Sequence, residues 1–218
     1  MNQKDKICDS NVIISRRASQ YESFWGRRPD LILHPSETRP HIDIFRFPPI
    51  DIKWFFQKWF IPVSHQYVYI SGGMSDVPIS KKNLPSDVLS QIELTAFSNE
   101  IYMNHSQKTD MIAWWLSFLA YTPFKDETIF FAPGHTFSVG KPIIPDSQMT
   151  AFFFAVSPPA LMQRLCSASI NAKLVLQAVP ITESELKFAK KEGIESLIDY
   201  FEKYHIEPFF DLNRDSYL

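Results

Sequence analysis

Tyr67-Val68-Tyr69-Ile70-Ser71-Gly72-Gly73-Met74-Ser75-Asp76 is the stretch whose reading decides the fold. Its first four residues are aromatic or β-branched and read as a strand. Gly72-Gly73 admits backbone conformations closed to other residues, so the strand runs directly into a turn. Ser75 and Asp76 have short side chains that can bond nearby main-chain N–H groups and fix that turn. A strand entering such a loop can carry a binding site. It can equally be a well-made turn with no further task.

On the N-terminal side, residues 1–11 read as a polar lead-in and residues 12–218 as one domain. Asn11 to Trp25 fits an amphipathic helix, with Ile14, Ala18, Tyr21 and Trp25 at helical spacing and Gly26 as its stop. Arg27 to Pro40 is cut by Pro29, Pro35 and Pro40 and reads as a loop, and His41 to Phe47 as a strand ended by Pro48-Pro49. In Lys53–Pro62, residues Phe55, Phe56, Trp59 and Phe60 match a helical stripe, and a twisted strand pair fits nearly as well. Trp54 and Trp59 would mark a protein contact if exposed, and otherwise pack into the core.

On the C-terminal side, Val77–Asp87 reads as a polar loop and Gln91–Phe97 as a strand. Ile92, Leu94 and Ala96 face one way, and Glu93, Thr95 and Phe97 the other. Alternation points Glu93 to solvent; a buried carboxylate there would need a partner or a raised pKa. Asp110 caps a helix to Tyr121 that is apolar on most sides, including Trp114, Trp115 and Phe118, and so is expected to be largely buried, with Thr122-Pro123 closing it. Asp126–Gly140 reads as a short helix or strand, the Pro133-Gly134 turn, then an edge segment. Thr150–Val156 and Ala172–Pro180 read as strands. Thr182-Glu183-Ser184-Glu185 is a capping box, Gly193 breaks the helix it starts, and Ile194, Leu197, Ile198 and Phe201 mark another. Pro208–Asp215 is expected as a strand or a docked extended segment. Strands and helices interleave without strict alternation, which predicts an α/β (α+β) domain with a mixed sheet and helices on both faces.

Composition narrows the classes. The 218 residues are 45% hydrophobic and 15% aromatic, enough for a large core. A net charge of -2 and no basic stripe argue against nucleic acid as partner. Cys8 and Cys166 form no disulfide framework, which suits a cytoplasmic setting. The N-terminus has no apolar core of signal-peptide length, and the longest hydrophobic stretches, around Trp54–Val63 and Met111–Tyr121, are too short to span a membrane.

Chemistry is sparse. The chain has no Gly-x-Gly-x-x-Gly, P-loop, Gly-x-Ser-x-Gly or His-Glu-x-x-His. His34, His41, His65, His105, His135 and His205 show no metal-ligand spacing, so no metal or cofactor is expected. Cys166 has no base beside it in sequence and reads as an ordinary thiol. An enzyme would need a site assembled in space around Asp76, Glu93 and His135. A third reading is a structural or self-associating protein with the Trp54–Phe60 stretch as its face.

Five ordered blocks resemble the suppressor of fused (SUFU) family. Tyr69–Asp76 resembles its Thr/Ser-x-Gly-Met/Leu-Ser-Asp block, and Ile92-Glu93-Leu94-Thr95 its Phe-Glu-Leu-Thr strand. Pro133-Gly134-His135-Thr136 is similar to its Gly-His/Asp turn. Leu176–Leu186 is similar to its Leu-Gln block ending in Glu-Leu, and Asp211-Leu212-Asn213-Arg214 to its Asp-x-x-Arg tail. The resemblance spans residues 38–216. It implies a mixed α/β domain like the N-terminal half of the animal regulator of Hedgehog signalling, which clamps a peptide of its Gli partner as an added strand. Pro78 stands where that protein has a tyrosine holding the peptide, so Gli-type binding is not carried over. Single-domain bacterial members resemble immunity proteins that neutralise a toxin. The resemblance therefore implies a non-catalytic protein-binder, monomeric or weakly dimeric. Candidate contact residues are Gly72, Gly73, Met74, Ser75, Asp76, Glu93 and His135, with Trp54 and Trp59 as the other candidate face.

Overall fold

Residues 1–25 contain neither glycine nor proline, and nothing in them breaks a helix. In the computed structural model, α1 accordingly runs from Gln3 to Trp25, through most of the polar lead-in, and stops at Gly26. The structure describes residues 3–35, 40–49, 66–79, 89–156, 171–216 and 218, with side chains from residue 12 onward. Trp54, Trp59, the loop Lys81–Asp87 and the thiols of Cys8 and Cys166 lie outside these residues.

Among the described residues, strands β1 (Leu31–Leu33), β2 (Asp43–Phe47), β3 (Tyr67–Gly72), β4 (Ile92–Ser98), β7 (Thr136–Ser138), β8 (Met149–Val156) and β9 (Leu174–Thr182) form one sheet. Their order is β1-β2-β3-β4-β9-β8-β7, with β4 and β9 parallel and every other pair antiparallel. β1 lies within the stretch expected to be loop; pairing with β2 (Leu33 opposite Ile44) overrides the flanking prolines. A small hairpin of β5 (Met103–Asn104) and β6 (Thr109–Asp110) leads into α2 (Met111–Lys125). Two more helices, α3 (Glu183–Glu192) and α4 (Ile194–Lys203), follow β9 directly.

The sheet has helices on both faces, as expected. α2 covers one face, where Ile92, Leu94 and Ala96 pack with Ile112, Leu116 and Leu119. On the other face, Tyr21 and Trp25 of α1 pack on Phe45, Phe47, Val68, Ile70, Phe97 and Val175. That same face carries α3 and α4 further along, through Leu186, Leu197 and Phe201 on Phe153, Val179 and Ile181. Every residue of β4 and of β9 is buried. Each large apolar side chain removed from water in this way contributes about 1.5–3 kcal/mol.

Two helix boundaries come from caps legible in the sequence. The Asp110 carboxylate accepts from the N–H groups of Ile112 and Ala113 at 3.0 and 3.1 Å, and Thr182 and Glu185 form the reciprocal capping box at α3. Thr122-Pro123 does not close α2, which continues to Lys125. A proline removes only one hydrogen bond, and packing of Tyr121 and Thr122 into the core holds the last turn. The C-terminal tail is extended and docked: Phe210 N–H donates to the carbonyl of Phe97 at 2.6 Å, and the Ser147 hydroxyl donates to the carbonyl of Leu212 at 2.7 Å.

Candidate functional site

The turn after β3 is built around one carboxylate. Gly72, Gly73, Met74 and Ser75 are buried, and a single turn of 3-10 helix spans Met74–Asp76. Glu93 of β4 accepts from Gly73 N–H at 3.0 Å, from Ser75 N–H at 3.1 Å and from the Ser75 hydroxyl at 2.7 Å. Its second oxygen accepts from the Ser71 hydroxyl at 2.5 Å. Glu93 is fully buried, which corrects the solvent-facing expectation. Alternation did set its side of the strand, but α1 and this turn cover that side, so no water reaches it. Burial raises the Glu93 pKa, against the opposing pull of the Ser71, Ser75 and Gly73 hydrogen bonds. Gly73 has φ of 108°, and a Cβ there would overlap the Arg17 guanidinium and the carbonyl oxygen of His41. The block that looked most like a ligand loop is thus spent on internal contacts; only Asp76 of its residues is exposed.

Asp76 belongs to a second cluster, centred on Arg17 of α1. Arg17 donates to Asp76 at 2.5 Å, to Asp43 Oδ2 at 2.8 Å and to the carbonyl of His41 at 2.9 Å. The signal in the sequence was a cation on the apolar face of α1, three residues after Ile14 and four before Tyr21. His34 Nδ1 lies 2.7 Å from Asp43 Oδ1, and His41 Nε2 lies 3.3 Å from the same oxygen. The histidines therefore do meet a carboxylate at ligand spacing, His34 across the β1–β2 pair and His41 from two residues before Asp43. Burial lowers the His41 pKa despite the nearby Asp43 charge.

His135 is not part of either cluster. It follows the Pro133-Gly134 turn, its carbonyl accepts from Phe154 N–H at 2.9 Å, and its ring lies 5.0 Å from that of Phe130. Between β4 and the β7 line stand β9 and β8, a separation of roughly 14 Å at ordinary strand spacing. Asp76 and Glu93 adjoin, but the sheet keeps His135 away from both, and the three do not assemble a site.

The outer surface of α2 departs from expectation more usefully. Trp114 is 42% exposed and Phe118 40% exposed, with their rings stacked at 5.9 Å and 8°. The helix is apolar nearly all round but rests on one sheet face, and no described residue covers its outer stripe. Beside the pair, Met111, Trp114, Pro142, Ile144 and Pro145 line a groove of about 470 Å³. Phe118 also meets Phe137 of β7, centroids 6.4 Å apart, and β7 is a terminal strand of the sheet. Across the sheet, the Pro133-Gly134 turn, Phe153, Val156, Ile198 and Pro208 line a second apolar groove of about 310 Å³. Among the described residues no strand pairs with the outer side of β7; an edge of that kind, with an apolar groove on each face, can accept an added strand whose alternate side chains point to the two faces. No described helix is long and apolar enough to cross a membrane.

The model of the suppressor of fused protein (SUFU) family matches residues 38–215. A crystal structure of a SUFU homologue from Neisseria gonorrhoeae is similar at TM-score 0.58 and 19% identity, over 94% of this chain and 96% of that one. The crystal structure of a Sufu–Fu complex is similar at TM-score 0.58 and 14% identity, over 91% of this chain and 89% of that one. No curated protein matches this sequence.

Proposed function

The chain belongs to the suppressor of fused family, and from that premise we propose that it is a non-catalytic protein-binding module whose partner is a toxin domain that it neutralises. One relative of the same fold is known as a complex with a protein, Fu. The observation that carries the reading is the exposed Trp114–Phe118 pair beside β7, the terminal strand of the sheet among the described residues. Large aromatics rimmed by a groove are the usual anchors of protein interfaces, and an unpaired strand supplies main-chain hydrogen bonds to an extended segment. His135 lies at the turn that leads into this edge, and Asp76 is exposed elsewhere on the surface.

The test is co-expression with a toxin domain encoded beside the chain, reading cell growth and a complex by size exclusion. Rescue by the wild type, lost on Trp114→Ala with Phe118→Ala in a protein that still folds, is the expected result. A reproducible substrate turnover abolished by Asp76→Ala or His135→Ala overturns the non-catalytic reading. Rescue that survives the double aromatic variant moves the interface away from α2 and β7.

A further inference from the structure

We propose that His34, His41 and Asp43 form a binding site for a divalent transition-metal ion of the Zn2+ class, independent of the protein-binding face. His41 lies two residues before Asp43, just ahead of β2, with its Nε2 3.3 Å from Asp43 Oδ1. His34 extends β1 by one residue, which sets it opposite Asp43 in the register that pairs Leu33 with Ile44. The three donor atoms lie within 4.8 Å of one another. Metal–ligand bonds of about 2.0–2.2 Å in a tetrahedron separate ligand atoms by roughly 3.3 Å. Of the two distances to Asp43 Oδ1, the 3.3 Å from His41 matches that spacing, and the 2.7 Å from His34 would lengthen by about 0.6 Å on binding.

Two further observations point to a ligand. His41 Nε2 is buried and sits 3.3 Å from Asp43 Oδ1 without the geometry of a hydrogen bond, a poorly satisfied buried nitrogen that coordination would satisfy. Arg17 holds the other oxygen, Asp43 Oδ2, at 2.8 Å. That fixes the carboxylate with Oδ1 turned to the histidines, the outer support that metal-ligating carboxylates require. The guanidinium does not make the pocket repel a cation, because Asp43 and Asp76 together outweigh its charge. The His34 and His41 side chains are 30% and 24% exposed, so the cluster lies near the surface rather than in the core. Two imidazoles and one carboxylate suit Zn2+ and its neighbours, whereas Mg2+ and Ca2+ want oxygen alone. Bound there, the ion would tie the β1–β2 edge to α1 through Asp43 and Arg17.

The experiment uses the full-length, untagged chain, stripped with a chelator and then titrated with ZnCl2 by calorimetry. Co2+ absorption is read in parallel. One equivalent of Zn2+ should bind, and Co2+ should give the visible bands of low coordination number. Tm should rise by about 5 °C or more at a hundredfold excess over Kd. His34→Ala and His41→Ala should each weaken binding by at least about tenfold, while His135→Ala leaves it unchanged. Asp43→Asn also disturbs Arg17, so the two partly exposed histidines carry the test. Absence of saturable binding, binding undiminished in both histidine variants, or an equal Tm rise with Mg2+ overturns the proposal and leaves a plain hydrogen-bonded pair.

Discussion

Replacing Glu93 by alanine and by glutamine tests the central claim that the Gly-Met-Ser-Asp turn and the Glu-Leu-Thr strand hold the fold rather than a ligand. Alanine removes the acceptor for two backbone N–H groups, of Gly73 and Ser75, and for two hydroxyls, of Ser71 and Ser75. The hydroxyls can rotate to other acceptors, but the amides cannot. Two stranded buried amides at about 1–3 kcal/mol each give a loss of roughly 2–6 kcal/mol, a large share of a typical domain's stability. Glutamine keeps an oxygen for the three donors now on Oε1. Its amide group then donates to Ser71 Oγ, which already accepts from Leu94 N–H at 2.8 Å. Only the Ser71 proton is displaced, so glutamine should cost about 1 kcal/mol or less. Burial lifts the native Glu93 pKa above the usual 4.5, so the native state binds this proton more tightly than the unfolded chain. The resulting stabilisation is full below 4.5 and is lost as pH rises through the raised native value. Wild type minus Glu93→Gln should therefore slope downward with rising pH above 4.5, whatever the other groups do. The assay is urea unfolding followed by tryptophan fluorescence across pH, reading the midpoint at constant m. Two results refute the reasoning: Glu93→Ala within about 0.5 kcal/mol of wild type, or glutamine as damaging as alanine.

Three further outcomes follow from the same contacts. Arg214 grips Glu185 through two bonds of 2.6 Å, so Arg214→Met strands a buried carboxylate and should cost about 3–5 kcal/mol in urea unfolding; Glu185→Gln in the same chain should restore part of it. Gly73→Ala meets both a left-handed backbone and the Arg17 and His41 overlap, and should cost about 2–4 kcal/mol in the same measurement; a neutral result would contradict the turn geometry. Trp114→Ala with Phe118→Ala, on the exposed stripe of α2, should shift Tm by only a few degrees while weakening partner binding about tenfold or more by titration calorimetry. A collapse of Tm with unchanged binding would mean the pair is core.

Several elements were legible because their cause is local. The Thr182–Glu185 box starts α3, Gly193 ends it, and Asp110 caps α2, each as its residue types dictate. The alternating strand Ile92–Phe97 sorted its side chains onto two faces correctly. Of the candidate site residues, Gly72 to Ser75 and Glu93 were singled out as one group, open to a structural turn or a binding loop, and the structure joins them by hydrogen bonds. Their pairing with one another needs β3 and β4 to be neighbours in the sheet, which no local signal states.

Local signals marked α2, α3, α4 and the strands β2, β3, β4, β8 and β9, with the residues that share a face and the mixed α/β class, because periodicity, caps and turn chemistry act within a few residues; they left β1 as loop and the start of α1 as lead-in. The tertiary structure alone decided which of those faces meets water. Glu93 is dry because α1 docks across its face of the sheet through Arg17, Tyr21 and Trp25. Trp114 and Phe118 are wet because no described residue covers the outer stripe of α2. His34 meets His41 only because β1 folds back antiparallel on β2. A pattern of alternation fixes two sides, but whether a side is buried depends on what packs there, and that is set by contacts between residues far apart in the chain.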